Sequence, residues 1–116
     1  MEKNTHQEEL KLAIFKSLDN NSNVSQRILA NSLNASLGSI NYCLRALINK
    51  GFIKVQNFRK SNNKLSYSYI LTPKGISQKI NLTKRFLEWK VKEYKNLQKE
   101  IKTLENELNK DKKNVK

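Results

Sequence analysis

The chain has 116 residues, 37% of them hydrophobic and 28% charged, with a formal net charge of +13. That length holds one modest core, or a compact domain with an appendage, and periodic apolar clusters exclude disorder except at the ends. A single cysteine, Cys43, excludes an internal disulfide framework, while the absence of an apolar signal core in residues 1–6 and of any bilayer-length apolar run leads us to expect a cytoplasmic protein.

Thr5-His6-Gln7-Glu8 fits a helix capping box, with the Thr5 hydroxyl accepting from a first-turn amide and Glu8 reaching back. Leu10, Ile14 and Leu18, with Ala13 and Phe15 alongside, then predict an amphipathic helix that stops at Asn20-Asn21. Ser25 is placed to cap a short second helix from Gln26 to about Leu33, with Ile28, Leu29 and Leu33 facing inward. Asn34-Ala35 make a tight turn, and Ser36 caps a third helix that ends at Lys50, where Gly51 supplies a left-handed residue. Leu37, Ile40, Leu44, Leu47 and Ile48 form the expected buried stripe of that helix. Two helices joined by so short a turn have the helix-turn-helix layout.

Phe52–Phe58 is rich in β-formers, and Leu65–Leu71 alternates small polar residues with aromatics. The intervening Arg59-Lys60-Ser61-Asn62-Asn63-Lys64 favours a turn, so the pair predicts a β-hairpin with a basic tip. A helix-turn-helix followed at once by a hairpin is a winged helix, which makes the expected fold class mainly α (α+β). Thr72 then caps a further helix with Pro73 in its first position. Its pattern runs to about Asn109, either continuous or broken near Asn81-Leu82, and residues 111–116 are expected to fray. The resulting organisation is a winged-helix domain over 5–75, a C-terminal helix over 76–110 and a tail over 111–116.

The charge is unevenly distributed. Residues 1–19 hold three lysines and four acids, and residues 88–116 hold nine lysines and six acids. Residues 20–87 hold eleven Lys or Arg and no Asp or Glu at all. A segment of that length ordinarily carries about eight acids, and codon bias toward AT would not remove them because acidic codons are also AT-rich. A basic stretch without carboxylates suits a polyanion, since each carboxylate near a phosphate repels it.

On a helical wheel the third helix leaves Ser36, Gly38, Ser39, Asn41, Tyr42 and Arg45 on or beside the face opposite the buried stripe. Arg45 suits a forked contact to guanine and Asn41 a paired contact to adenine. Gly38 would let the backbone come close to a duplex, and Ser36, Ser39 and Tyr42 are donors to phosphates or bases. Each of these also fits an ordinary solvated helix surface. In the wing, Arg59, Lys60, Asn62 and Lys64 are placed to meet phosphates or the adjacent minor groove, or else form a solubilising loop. Tyr67 and Tyr69 share the parity of Leu65 and Leu71, which favours a sheet face packed on helices over a stacking platform for single strands. His6 and Cys43 have no sequence partners for a metal site or an activated nucleophile. With no phosphate-cradling glycine loop and no paired acids in the basic segment, we expect neither catalysis, nor a cofactor, nor a metal.

The later part of the last helix keeps a seven-residue repeat through Tyr94, Leu97, Ile101, Leu104 and Leu108, a natural homodimer element. In a parallel pairing Glu100 faces Glu105 of the second copy, a like-charge contact that disfavours a simple zipper. Antiparallel pairing, packing on the partner's first helix, or a seam of Phe86, Leu87, Trp89 and Val91 remain open.

The run Ser36-Leu37-Gly38, then Asn41-Tyr42-Cys43-Leu44, Lys50-Gly51, Asn57-Phe58, Asn63-Lys64 and Leu71-Thr72-Pro73-Lys74-Gly75 resembles the MarR-type winged-helix regulators. It looks most like their branch associated with extracellular polysaccharide (EPS) gene clusters. The likeness continues through Leu82-Thr83, Phe86-Leu87, Glu93-Tyr94 and Glu100-Ile101, covering about residues 24–104. The Asn-Tyr-Cys-Leu segment is its most specific part, while the Leu-Thr-Pro-Lys-Gly exit from the wing is common to many winged helices. The resemblance implies a dimeric bacterial repressor or activator, nucleoid-associated and acting near polysaccharide biosynthesis genes. MarR-type proteins often sense a small ligand; which effector, if any, applies here is not written in these residues.

The leading expectation is therefore sequence-specific binding of double-stranded DNA for transcriptional control. A winged helix recruited to RNA or to replication-associated DNA, or one binding any duplex without sequence preference, is the alternative. A protein-contact module using the coil and wing is a third reading, which the acid-free segment disfavours. No membrane partner is expected.

Overall fold

The computed structural model describes residues 2–59 and 65–115. The element order is α1 (Glu2–Asn20), α2 (Gln26–Ser32), α3 (Leu37–Asn49), β1 (Ile53–Arg59), β2 (Leu65–Leu71) and α4 (Pro73–Asn114). This is a helix-turn-helix followed by a two-stranded antiparallel hairpin and a long C-terminal helix, the winged-helix arrangement expected from the sequence. The chain divides into two compact units, residues 1–83 and residues 84–116.

In the first unit, α1 buries Leu12, Ile14, Phe15 and Leu18. These meet Leu29 and Ala30 of α2, Ile40, Cys43, Leu44 and Leu47 of α3, Ile53 and Tyr69 of the hairpin, and Leu82 of α4 in one core. Each fully buried Leu, Ile or Phe contributes about 1.5–3 kcal/mol relative to exposure. Phe15 and Phe52 meet edge-on, with ring centroids 6.4 Å apart, and Lys74 Nζ lies 5.4 Å from the Phe52 ring centre. Asp19 and Lys79 form an ion pair between α1 and α4.

Local signals fixed most helix ends. Ser25 Oγ accepts from the Ile28 amide at 3.1 Å, and Ser36 Oγ accepts from the Ser39 amide at 3.0 Å. Gly51 carries the left-handed backbone (φ 77°) that ends α3, and Asn34 adopts φ 53° in the turn; asparagine is one of the few non-glycine residues that tolerate this region. Thr72 Oγ1 accepts from the Gly75 amide at 3.0 Å, capping α4 behind Pro73. The same hydroxyl donates to the Gly51 carbonyl at 2.6 Å, and the Thr72 amide donates to Phe52 O at 3.1 Å. Gly75 is buried here, and the position needs glycine because a Cβ would sit 2.0 Å from the Phe52 carbonyl oxygen.

The hairpin register runs from Ile53 opposite Leu71 to Arg59 opposite Leu65. The link between α1 and α2 runs beside β2: the Tyr69 amide donates to Ser22 O at 3.0 Å, and buried Ser68 donates its hydroxyl to Asn23 Oδ1. These bonds satisfy groups that burial would otherwise strand.

Several expectations are corrected. α1 starts at Glu2, so Thr5 and Glu8 lie inside the helix and Thr5 does not hold its N-cap position. Once nucleated, a helix gains a bond per residue added, and Glu and Lys are good helix formers. Ile28 and Leu37 are exposed, Leu37 at 47%. α2 has only seven residues and buries the adjacent pair Leu29 and Ala30, while Leu37 opens α3 at the margin of its stripe. Tyr69 is buried as expected but Tyr67 is 51% exposed, since the core covers only the base of the hairpin. α4 does not break at Asn81-Leu82, because Leu82 is a core residue. It also continues to Asn114, with Lys112 and Lys113 in its last turn complementing the carboxyl end of the helix dipole.

Candidate nucleic-acid interface

The chemistry of α3 follows from how it is held. Ile40, Cys43, Leu44 and Leu47 face the core, so at 3.6 residues per turn the opposite side is fixed by arithmetic. Gly38, Tyr42, Arg45 and Asn49 recur at spacings of four, three and four, and fall within roughly 60° of arc. All four are exposed, Tyr42 at 62%. A Cβ added at Gly38 would meet nothing within 4 Å, so the helix is bare at this point. Asn49 was not singled out from the sequence, although the same spacing pointed to it.

The other expected readers flank this stripe. Ser36 is committed to the cap, accepting from the Ser39 amide while its hydroxyl donates to Ser39 Oγ at 2.8 Å. Ser39 thereby keeps its own hydroxyl proton for an outside acceptor, and the donor role expected of Ser36 passes to it. Asn41 is half-buried and its Nδ2 donates to Gln26 Oε1 of α2 at 3.1 Å. That contact orients the Asn41 amide and uses one of its two N–H groups, leaving its carbonyl oxygen and second N–H uncommitted among the described residues. Gln26 is a positioning residue that sequence reading did not find, because nothing local announces a contact fifteen residues away.

In the wing, Lys54, Gln56 and Asn57 are exposed along β1. The Arg59 side chain and Lys60, Asn62 and Lys64 lie outside the described residues. Arg27 is exposed at the start of α2 and adds to the positive character of the domain.

Cys43 is 2% exposed. Burial pushes its thiol above the ordinary value of 9.0, with nearby Lys11 pulling the other way. Such a thiol stays protonated and inert at neutral pH. Among the described residues no three His, Cys, Asp or Glu side chains come together as a metal site, and no helix is long and apolar enough to cross a membrane.

In the second unit, Leu87, Val91, Tyr94, Leu97, Ile101, Leu104 and Leu108 are all exposed. Phe86 and Trp89 meet edge-on at 6.1 Å, Lys90 Nζ lies 4.7 Å over the Trp89 ring, and Lys90 pairs with Glu93 at 3.4 Å. At 100° per residue this aromatic pair points roughly 130° away from Leu87, Val91 and Tyr94. The four residues expected to make one seam, Phe86, Leu87, Trp89 and Val91, are therefore split between two faces of the helix.

Residues 7–54 match the family model described as winged helix-turn-helix DNA-binding. The match runs from α1 to the start of β1 and includes the whole of α3. No curated protein matches the chain in sequence. This part of the chain has the winged-helix fold and is similar to that DNA-binding family.

Proposed function

We propose that the protein is a sequence-specific, homodimeric transcriptional regulator of double-stranded DNA, bacterial and nucleoid-associated, with α3 as its reading helix. The observation that carries this reading is the outward stripe Gly38-Tyr42-Arg45-Asn49, borne on a helix whose other side is locked into the core. It lies in a segment with no carboxylates from residue 20 to residue 87. Arg45 takes a guanine edge in the major groove, Asn41 reads an adenine beside it, and Ser39 and Tyr42 donate to phosphates or bases. The wing cations Arg59, Lys60 and Lys64, with Asn62, grip the backbone and set register. Residues 5–75 are the DNA-binding part, and the helix over 76–110 brings two reading heads to a two-part operator. The resemblance to MarR-type regulators of the EPS branch supports this assignment and points to polysaccharide biosynthesis genes as targets.

Selection from random duplex DNA tests it. Recovery of a palindrome with half-sites about 10 base pairs apart is the expected result. Arg45→Ala should then relax one position of the site at a cost of about 1–3 kcal/mol, and Lys60→Ala should weaken all duplexes alike while reducing the salt slope by about 1. Equal binding to every duplex, or tighter binding to RNA, overturns the proposal.

A further inference from the structure

Beside the reading stripe lies an open cavity of about 840 Å³. One wall is the amino-terminal half of α1, with His6, Gln7 and Glu9 at its rim and Leu10 and Ala13 at its base. The far wall is α3, through Gly38, Ser39 and Tyr42, and the turn residue Asn34 also lines the cavity. We infer that this trough seats one sugar-phosphate strand of the bound duplex, gripped by Gln7 and Asn34 and held off by Glu9. The inference rests on α3 being the reading helix.

Continuity with that face is the first argument. Gly38, Ser39 and Tyr42 belong both to the outward side of α3 and to the trough. The major groove is about 12 Å wide and a helix with its side chains is about 10–12 Å across. A helix laid in that groove therefore has a phosphate strand close along each flank, and whatever lines the flank meets it. The lining chemistry is the second argument. Gln7 and Asn34 offer amides and Ser39 and Tyr42 offer hydroxyls, which are the neutral donors that phosphates accept from. The apolar base at Leu10 and Ala13 suits the carbon face of a deoxyribose. Charge opposes the fit and so supplies its sharpest test: Glu9 is a carboxylate in this lining and belongs to the stretch before residue 20, outside the acid-free segment. A carboxylate beside a phosphate strand repels it, so Glu9 lowers the affinity and its neutralisation raises it.

The test uses the full chain, the duplex selected by the wild-type protein and a scrambled duplex, with affinities from fluorescence anisotropy at two salt concentrations. Gln7→Ala is expected to weaken both duplexes about three- to tenfold, the loss of one donor to an anion. Its salt slope should not change, because glutamine displaces no counterion. Asn34→Gly removes the amide while keeping the left-handed backbone that alanine would strain, and should act in the same way. Glu9→Gln should tighten both duplexes about threefold, while Glu88→Gln, an equal charge change on α4, leaves them unchanged. Thermal melts confirm that each variant folds. If Arg45→Ala weakens the operator but Gln7→Ala and Asn34→Gly leave both affinities unchanged, the trough is no DNA seat and this inference alone falls. If Glu88→Gln tightens binding as much as Glu9→Gln, the local role of Glu9 is overturned. If the wild-type chain prefers no duplex, the regulator reading fails and this inference with it.

Discussion

The Asn41 side-chain amide donates to Gln26 Oε1 at 3.1 Å, so the first helix of the helix-turn-helix aims a side chain of the second. Gln26→Ala removes the aim and leaves Asn41 in place. If Asn41 reads a base as proposed, we expect this change to blur preference at that base pair by about fivefold, with other positions of the operator unaffected. Contacting residues are non-additive, so the Gln26→Ala/Asn41→Ala double variant should be no worse than Asn41→Ala alone. Binding-site profiles of the three variants check this, and additive losses would mean that the two side chains act separately.

The glycines of α3 and α4 are expected to respond oppositely to one methyl group. At Gly75 the added carbon meets the Phe52 carbonyl at 2.0 Å, and backbone cannot yield as a flexible side chain would. Gly75→Ala should cost about 3 kcal/mol or more, lowering Tm by about 10 °C or more. At Gly38 nothing lies within 4 Å. Gly38→Ala should therefore stabilise the helix by about 0.5–1 kcal/mol and yet weaken DNA binding, since the methyl group stands in the groove. Urea melts followed by circular dichroism, paired with DNA titrations, separate the two effects.

Cys43 gives a pH dependence of known sign. Its thiol is raised in the folded protein, chiefly by burial, with Lys11 opposing. The unfolded chain therefore loses its thiol proton first as pH rises. The contribution to stability is complete below the ordinary value of 9.0 and is lost as pH climbs through that value toward the raised one. Cys43→Ser should flatten this alkaline decline while lowering stability at neutral pH through its buried hydroxyl. Disulfide-exchange reagents should label native Cys43 at least about tenfold more slowly than the urea-unfolded chain.

The two faces of the distal helix predict two outcomes for oligomeric state. Leu104 is 63% exposed on the heptad stripe, and Trp89 lies off it. Leu104→Asp should give a monomer by sedimentation and reduce affinity for a palindrome about 100-fold, with half-site affinity intact. Trp89→Ala should leave the dimer assembled. The reverse pattern would move the seam to the aromatic face.

What the sequence made legible was what is decided locally. Ser25, Ser36 and Thr72 announce helix starts through bonds spanning three residues, and Gly51 announces an end through its own backbone. The outward face of α3 follows from its apolar spacing, which also marks Asn49. Features decided by distant neighbours were not legible. Tyr67 and Tyr69 have the same parity, yet only Tyr69 is covered, because coverage depends on where the helices end. The need for glycine at position 75 exists only because Phe52 arrives beside it. The partnership of Gln26 with Asn41, and the trough shared by α1 and α3, likewise appear only after folding.

The bonds from Thr72 to Gly51 and Phe52 have a further consequence. They tie the exit of α3 to the entry of α4, so the polypeptide enters and leaves the wing through one fastened doorway. Further along, β2 is tied to the α1–α2 link as well, through Tyr69 and Ser68. Even doubling the span of such a loop adds only about 0.6 kcal/mol of closure entropy. The segment between those ties, from Arg59 to Lys64, is thus where length or charge can change at little cost to the fold, trading reach against grip.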